Sequence, residues 1–260
     1  MFGHGLSRKT EIFADQLLLA RQWLATGKGR YLLTSEERML QAMLPRIFGH
    51  HAAVLGVCPD GKLLDYSQVV HGTMLTPLAE APSESSIRLD VNEWPVRPRS
   101  MDLVLLHHAL EFSEKPHRVL REACRTIVPG GKLVVVGFNP LSLWGIYRLF
   151  GAGVNSVMRR GRYFHHRRIE DWLTLLNFSR CHLRYGGHLY PFCAHLKSSH
   201  RSWLQSHVGL RMLPTGSFYM LVAMKDRVDM GRLCHSRWQA SREHLLGASY
   251  IRNTASRKVP

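Results

Sequence analysis

One stretch of this chain, residues 89–140, constrains the fold more than any other. Met101–Leu106 is an apolar run apart from Asp102, which predicts a strand buried on both faces. His117–Ile127 then carries apolar residues at helical spacing with charges between them, and Pro129-Gly130-Gly131 is expected to end that helix. Leu133–Phe138 is a second buried strand. Strand, helix, turn and strand make a βαβ unit, which predicts an α/β protein whose parallel strands are covered by helices.

Further apolar runs extend the predicted sheet on both sides of this unit. The additional strands are Ala52–Val57, Gly72–Thr76, Ile87–Val91, Arg180–Tyr185 and Ser217–Met224. Two helices are expected before the sheet, Glu11–Ala25 and a second from Thr34 to about Ile47. Gly27-Lys28-Gly29 is expected to stop the first helix, and Thr34 followed by Glu37 resembles a capping box that opens the second.

The central stretch also resembles a known family. The residues that carry the likeness are Asp90, Trp94-Pro95, Asp102-Leu103-Val104, Pro116, Arg118, Leu120, Glu122, Arg125 and Pro129-Gly130-Gly131. Their order is similar to that in class I S-adenosylmethionine-dependent methyltransferases of the type 11 group, and weaker similarity covers residues 31–225. The phrase GFNPLSLWG, residues 137–145, looks like an uncharacterised proteobacterial subgroup. The resemblance implies the Rossmann-like seven-stranded sheet of class I methyltransferases, with N-terminal helices and a basic C-terminal tail.

The same resemblance implies S-adenosyl-L-methionine as cofactor. The cofactor-binding residues that it implies are Gly56, Val57, Cys58, Gly61, Asp90, Val91 and His107. Asp90 would accept a hydrogen bond from the adenine amino group, and the Val91 amide would contact the ring. The loop after the first strand departs from the family's glycine-rich pattern, because only Gly56 and Gly61 remain. Glu80 stands near the family's ribose-binding acid, with a solvated loop acid as the alternative.

Substrate contacts are expected from His108, Asn139, Tyr163 and Arg167, which follow the fourth and fifth strands. Ligands of open α/β sheets bind at this carboxyl edge. The two adjacent histidines could equally be buried structural residues, and Asn139 could serve the backbone of its own turn. No metal site is expected, because a zinc site needs more ligands at set spacing.

The chain carries a large excess of positive charge. The 35 Lys and Arg against 19 Asp and Glu give a formal net charge of +16. Such an excess favours RNA or another polyanion as a partner, although a basic protein without one is the alternative. The densest basic segment, residues 159–168, interleaves arginines with aromatic side chains, which is typical of single-stranded nucleic-acid binding and also of a solvated loop.

Three parts are expected along the chain. They are an N-terminal helical extension (residues 1–48), a methyltransferase-like α/β domain (49–226, with a substrate-lid insertion at about 186–214) and a basic, disordered tail (227–260). The five scattered cysteines fit a reducing cytoplasm. No apolar run reaches about 18 residues, so a soluble cytoplasmic protein without a transmembrane segment is expected.

Two functions of different kinds follow. The first is a methyltransferase that moves a methyl group from S-adenosylmethionine to an unknown acceptor, for which the charge makes RNA a plausible class. The second is a catalytically degenerate methyltransferase fold that acts as an RNA-binding or assembly module. A protein anchored at a membrane surface by its basic tail is a weaker third hypothesis. The oligomeric state is open.

Overall fold

The structure, a computed structural model, describes residues 7–58, 62–77, 85–150, 156–188 and 215–227. Its strands are β1 Phe48–Gly56, β2 Gln68–Thr76, β3 Ser86–Arg88, β4 Met101–His107, β5 Ile127–Phe138, β6 Phe178–Gly186 and β7 Phe218–Lys225. Its α-helices are α1 Arg8–Ala25, α2 Gly27–Met43, α3 Ala109–Phe112, α4 Pro116–Thr126, α5 Leu143–Phe150, α6 Ser156–Arg160 and α7 His166–Leu175. Four predicted features lie outside the described residues: Gly61, Glu80, most of the lid insertion and nearly all of the basic tail.

The strands form one seven-stranded sheet in the order β3-β2-β1-β4-β5-β7-β6. Strands β1 to β5 pair in parallel, and β7 lies antiparallel between β5 and β6. The central strands are buried along their carboxyl halves, as their continuous apolar runs predict. The predicted α/β class and the Rossmann-like seven-stranded sheet are both confirmed, including the antiparallel last pair.

The two N-terminal helices differ from the prediction at their junction. Gly27 does not separate two helices by a loop but is the first residue of α2. Thr26 is the N-cap, and its side chain accepts a hydrogen bond from the amide of Gly29 at 3.4 Å. The Thr34 hydroxyl instead donates to the carbonyl of Arg30 inside the helix, so the predicted capping box is wrong.

The segment after α4 also differs in detail. The helix ends at Thr126 and β5 begins at Ile127, so Pro129-Gly130-Gly131 lies within the strand rather than in a turn before it. The register between β4 and β5 shifts between Met101 and Leu103, which accommodates the extra residues as an irregularity in the pairing. Strand β3 is shorter than predicted and ends at Arg88, which leaves Asp90 in the turn beyond it.

Helix α1 is part of the core rather than an appendage. Phe13, Leu17 and Ala20 are buried, and the ring of Trp23 stacks on that of Trp144 with centroids 5.6 Å apart. These residues recur at helical spacing and give the helix one apolar face. That face holds α1 against the protein, and its polar side chains reach the carboxyl edge of the sheet.

Candidate functional site

Gly56 is the last residue of β1, at the carboxyl edge of the sheet, and a glycine is required there because no space is left for a side chain. Its φ is +153°, and a Cβ atom would lie 1.9 Å from the carbonyl oxygen of His107 on β4. The next amide, of Val57, donates to that same carbonyl at 3.0 Å. The backbones of β1 and β4 therefore meet at the point where the cofactor loop was predicted.

Arg21 of α1 lies over this strand end. Its guanidinium donates to the carbonyl oxygens of Val57 and Gly56 at 3.2 Å each and of Cys58 at 3.5 Å. Gly56 is the last residue of β1, and Val57 and Cys58 follow it, so the half-buried guanidinium supplies charged donors to the carbonyls at the strand exit. Sequence analysis missed Arg21, although its position four residues after Leu17 and three before Leu24 puts a charge on an apolar stripe.

Asp90 and Val91 lie in the turn after β3 and contact the beginning of the same helix. The amide of Val91 donates to Oγ1 of Thr10 at 3.4 Å, and both residues are buried. Thr10 Oγ1 also lies 3.0 Å from Oγ of Ser7. Helix α1 thus connects the two halves of the predicted cofactor site, because Thr10 and Arg21 are separated by about 16 Å of helix.

The Asp90 carboxylate is held in its ionised form by hydrogen bonds. Burial alone would raise its pKa, but donors from the Asn92 amide, the hydroxyls of Ser7 and Thr10, and the Asn92 side chain lower it below the usual value. The Asn92 amide lies 2.8 Å from Oδ1. Asp90 and Val91 therefore offer one acceptor and one donor side by side, and both are met by hydroxyls of Thr10 in the first turn of α1 and of Ser7, the residue before the helix.

His107 and His108 lie in a fully buried polar cluster. The two oxygens of Glu36, on α2, each lie 2.9 Å from an Nε2 atom, one of His107 and the other of His108. The Nδ1 atom of His108 lies 3.1 Å from Glu111, whose Oε1 also accepts from the amide of Phe138 at 2.9 Å. The cluster joins α2, β4, α3 and β5 directly beneath the carboxyl edge.

The charges of this cluster follow from its contacts. Burial opposes the ionisation of Glu36, but the neighbouring His108 and the hydrogen bonds from both histidines lower its pKa to about 2. Burial likewise opposes a charged His108, but Glu36 and Glu111 raise its pKa to about 10. Burial lowers the pKa of His107. The cluster therefore holds a Glu36 carboxylate, an imidazolium at His108 and a neutral imidazole at His107.

Three donor atoms in this cluster are of the kind that bind metal ions. Glu36, His107 and His108 present one atom each, all within 4.8 Å of one another. Zinc accepts such a donor set, but structural sites use four ligands. Nε2 of each histidine already lies 2.9 Å from an oxygen of Glu36, so these two atoms are engaged in hydrogen bonds inside the cluster. Among the described side chains, Nδ1 of His107 is buried without a hydrogen-bond partner.

The remaining predicted substrate residues lie beside this cluster, with one exception. The ring of Phe138 stacks between those of His108 and Tyr163, with centroid distances of 3.9 and 4.9 Å. The hydroxyl of Tyr163 accepts from the indole of Trp144 at 3.2 Å. Arg167 is the exception, because it is exposed in the first turn of α7, where its amide donates to the ring of His165.

Asn139 uses its amide group inside the protein. Its Nδ2 donates to the carbonyl of Gly216 at 2.9 Å, and its Oδ1 accepts from the amide of Leu141 at 3.1 Å. The residue is buried at 2% exposure. It ties the exit of β5 to the entry of β7, which is the backbone role that an Asn in a turn commonly has.

Residues 39–135 match the sequence profile of a known family, the methyltransferase domain of the type 11 group. The match begins within α2 and ends within β5, so it includes the strand ends and turns described above. This part of the chain is similar to a type 11 methyltransferase domain, and the exit of β1, the Asp90 turn and the end of β4 all lie inside the matched range.

The chain also has relatives of known sequence and structure. The uncharacterized protein YafS of Escherichia coli (strain K12) is 30% identical over 154 residues, which are 59% of this chain and 63% of that protein. This chain therefore spans less than two thirds of that relative.

Solved structures share the fold at low sequence identity. A possible histamine N-methyltransferase from Thermotoga maritima aligns with a TM-score of 0.58 at 16% identity, over 83% of this chain and 99% of that one. A chain from the complex described as that "between the Haloferax volcanii Trm112 methyltransferase activator and the putative methyltransferase" aligns with a TM-score of 0.56 at 15% identity, over 80% of this chain and 98% of that one. A geranyl diphosphate methyltransferase bound to S-adenosylmethionine aligns at 0.50, with 16% identity, over 74% and 84%. These likenesses show the fold.

None of the described helices is long and apolar enough to cross a membrane.

Proposed function

We propose that this protein is an S-adenosylmethionine-dependent methyltransferase with its cofactor site at the carboxyl edge of β1, β3 and β4. The observation that carries the proposal is the coincidence of the matched family range with a paired acceptor and donor at Asp90 and Val91. The proposed cofactor residues at this edge are Gly56, Val57, Cys58, Asp90, Val91 and His107, with Gly61 beyond the described part of the loop.

The turn at Asp90 fits the chemistry of an adenine ring. An adenine presents an amino group that donates and, next to it, a ring nitrogen that accepts. Asp90 offers a carboxylate and Val91 a backbone amide, and in this structure the hydroxyls of Ser7 and Thr10 supply the matching donor and acceptor. The α1 hydroxyls thus occupy the hydrogen-bonding positions that an adenine would use, and the first turn of α1 must yield when the cofactor enters.

The protein's part in the reaction is positioning. When bound, S-adenosylmethionine supplies an electrophilic methyl group on a sulfonium. The residues of this chain would hold an acceptor in line with that methyl and exclude water from it. Tyr163 and the stacked Phe138 offer an aromatic wall beside His108, and the neutral imidazole of His107 is a proton acceptor whose tautomer Glu36 fixes.

Calorimetric titration with S-adenosylmethionine and its demethylated product tests the proposal. We expect wild-type protein to bind both and Asp90→Asn to bind at least about tenfold more weakly, because it loses a charged acceptor. Asp15→Asn, an exposed acid on α1, is the matched control and keeps wild-type affinity. Equal affinities in the two variants would place the cofactor elsewhere.

The occupied turn also supports the second function. If the hydroxyls of α1 hold Asp90 and Val91 permanently, the domain is a cofactor-free binding or assembly module. Absence of any binding at millimolar cofactor, in folded protein, is the result that would favour this alternative. In that case RNA or a small molecule would be a binding partner of the protein and not the acceptor of a methyl group.

A further inference from the structure

A cleft lined by basic side chains lies between the end of α2 and the strands β5, β7 and β6. Its volume is about 50 Å³, and Ala42, Met43, Ile47 and Val222 form its apolar wall. The polar lining consists of Arg46, Lys132, His182 and Arg184, and none of the described residues that line the cleft is acidic. None of these side chains belongs to the proposed cofactor site.

The strand pairing places three of the basic residues on one face of the sheet. Lys132 of β5 lies opposite Met224, His182 of β6 opposite Val222, and Arg184 opposite Met220. Alternate residues of a strand share a face and paired residues face the same side, so Lys132, His182 and Arg184 project together. The end of α2 and Arg46 cover this face at the cleft.

The cleft is separate from the carboxyl edge. Lys132 pairs with Leu103, whereas His107 at the edge of β4 pairs with Val136. The two rows are four residues apart along the strand, which corresponds to about 13 Å. A ligand in the cleft therefore does not occupy the space between Gly56 and His107.

The positive charge of the cleft exceeds what its protein surroundings balance. The ion pairs among the described residues join Arg125 to Glu122 and Arg180 to Glu170, together with the His–Glu contacts of the buried cluster. Arg46, Lys132 and Arg184 take part in none of them. Arg180 precedes Arg184 on β6 and forms an ion pair with Glu170. Arg184 has no such ion pair among the described residues.

The partial negative charge at the end of α2 can balance one of these cations but not all of them. A helix carboxyl terminus carries about half a negative charge, which one ammonium balances. Lys132 fills that role at the 3₁₀ helix Leu44–Arg46, which directly follows α2, because its Nζ donates to the carbonyl of Arg46 at 3.4 Å. Arg46 and Arg184 then add two guanidiniums, and His182 adds an imidazole, around a partly buried space. Like charges gathered in this way repel one another unless an anion lies between them.

We propose that this cleft binds the phosphate group of a phosphate-bearing ligand. A tetrahedral dianion accepts hydrogen bonds from several directions, and guanidiniums pair with it through two parallel N–H donors. The small volume holds the phosphate alone, so the remainder of the ligand extends outward along exposed Arg46 and His182. The phosphate can come from a small metabolite or from the backbone of a nucleic acid.

Calorimetry with inorganic phosphate, at constant ionic strength and against sodium chloride and acetate, tests the site. We expect binding of phosphate but not of acetate, and a dissociation constant about tenfold higher in Lys132→Gln and in Arg184→Gln, as for loss of one charged hydrogen bond. Arg88→Gln, an exposed arginine on β3 at the opposite edge of the sheet, is the matched control and keeps wild-type affinity. Circular dichroism verifies that each variant is folded.

A second arm separates the two sources of phosphate. A short single-stranded RNA is titrated into the same proteins, and its binding is measured by fluorescence anisotropy. Loss of RNA affinity in both cleft variants but not in Arg88→Gln assigns the site to a nucleic-acid backbone. Unchanged RNA affinity with weakened phosphate binding assigns it to a small ligand. Wild-type affinity for both phosphate and RNA in the cleft variants overturns the proposal, as does failure of the wild type to bind either. These outcomes do not depend on cofactor binding.

Discussion

The backbone amide of Val91 donates a hydrogen bond to Oγ1 of Thr10, 81 residues earlier in the chain and 3.4 Å away. The bond joins the first turn of α1 to the turn that follows β3. Since the Asp90 carboxylate also accepts from Thr10 and Ser7, one helix end fills both hydrogen-bonding positions proposed for adenine. We therefore predict that cofactor binding and docking of this helix end compete.

The first prediction concerns this competition. Thr10→Val removes the oxygen and keeps the shape, so the Val91 amide is left without that acceptor until a ligand supplies one. We expect the dissociation constant for S-adenosylmethionine to fall about three- to tenfold, measured by calorimetry. Thr34→Val, the same change in α2, serves as control because its hydroxyl bonds only within its own helix. A weaker or unchanged affinity in Thr10→Val would contradict the competition.

The second prediction concerns the contact between β1 and β4. In Gly56→Ala the new methyl group would meet the backbone carbonyl of His107 at 1.9 Å, and neither backbone can move without breaking the sheet. We expect the free energy of unfolding to fall by at least about 2 kcal/mol, measured by urea denaturation. Gly27→Ala is the control, since nothing lies within 4 Å of its added methyl and it lies at the start of α2. Similar stability of the two variants would show that the strand end adjusts freely.

The sheet could be predicted from the sequence because its strands are marked by local signals. Leu103–Leu106 of the predicted strand Met101–Leu106, and all of Leu133–Phe138, are buried on both faces, so apolar runs define these strands without knowledge of their neighbours. The start of α2 could not be predicted in this way. Gly27 and Gly29 normally interrupt helices, but Thr26 caps the amide of Gly29 and packing against α1 holds the turn.

The polar contacts of the site depend on pairings that a sequence does not display. Glu36 lies 71 and 72 residues from the two histidines that it contacts, and Thr10 lies still further from Val91. The sequence does contain one indication that Glu36 is buried, namely its position as a charged residue within an apolar stripe of α2. Glu36 follows Leu32 by four residues and precedes Leu40 by four, and all three are buried on one face of α2. That pattern predicts a buried partner but not which residue supplies it.

The third prediction concerns the charge on His108. Because Glu36 and Glu111 raise its pKa in the folded protein to about 10, His108 stabilises the fold fully below the unfolded value near 6.5 and loses this contribution as pH rises toward 10. His108→Gln leaves two buried carboxylates without their cation. We expect a loss of about 3–5 kcal/mol at neutral pH.

The pH dependence distinguishes this effect from a packing defect. The wild-type free energy of unfolding should decline between pH 6.5 and 8.5, by about 1.4 kcal/mol per pH unit for one proton, and His108→Gln should lack that decline. His50→Gln removes an exposed histidine and should keep the wild-type slope. Parallel pH profiles for wild type and His108→Gln would mean that His108 is neutral in the folded protein.

The last prediction concerns Arg21, which supports the exit of β1 from above. Its guanidinium donates to the carbonyls of Gly56, Val57 and Cys58, so Arg21→Gln leaves strand-end acceptors without a charged donor. We expect a loss of about 1–3 kcal/mol in the free energy of unfolding, measured by urea denaturation. Arg30→Gln is the control, because Arg30 is exposed and donates to one carbonyl, that of Ala25. We expect this surface substitution to change the free energy of unfolding by no more than about 0.5 kcal/mol. If both variants lose the same stability, the contacts of Arg21 add nothing beyond an ordinary surface arginine, and α1 is held at the carboxyl edge by its apolar face alone.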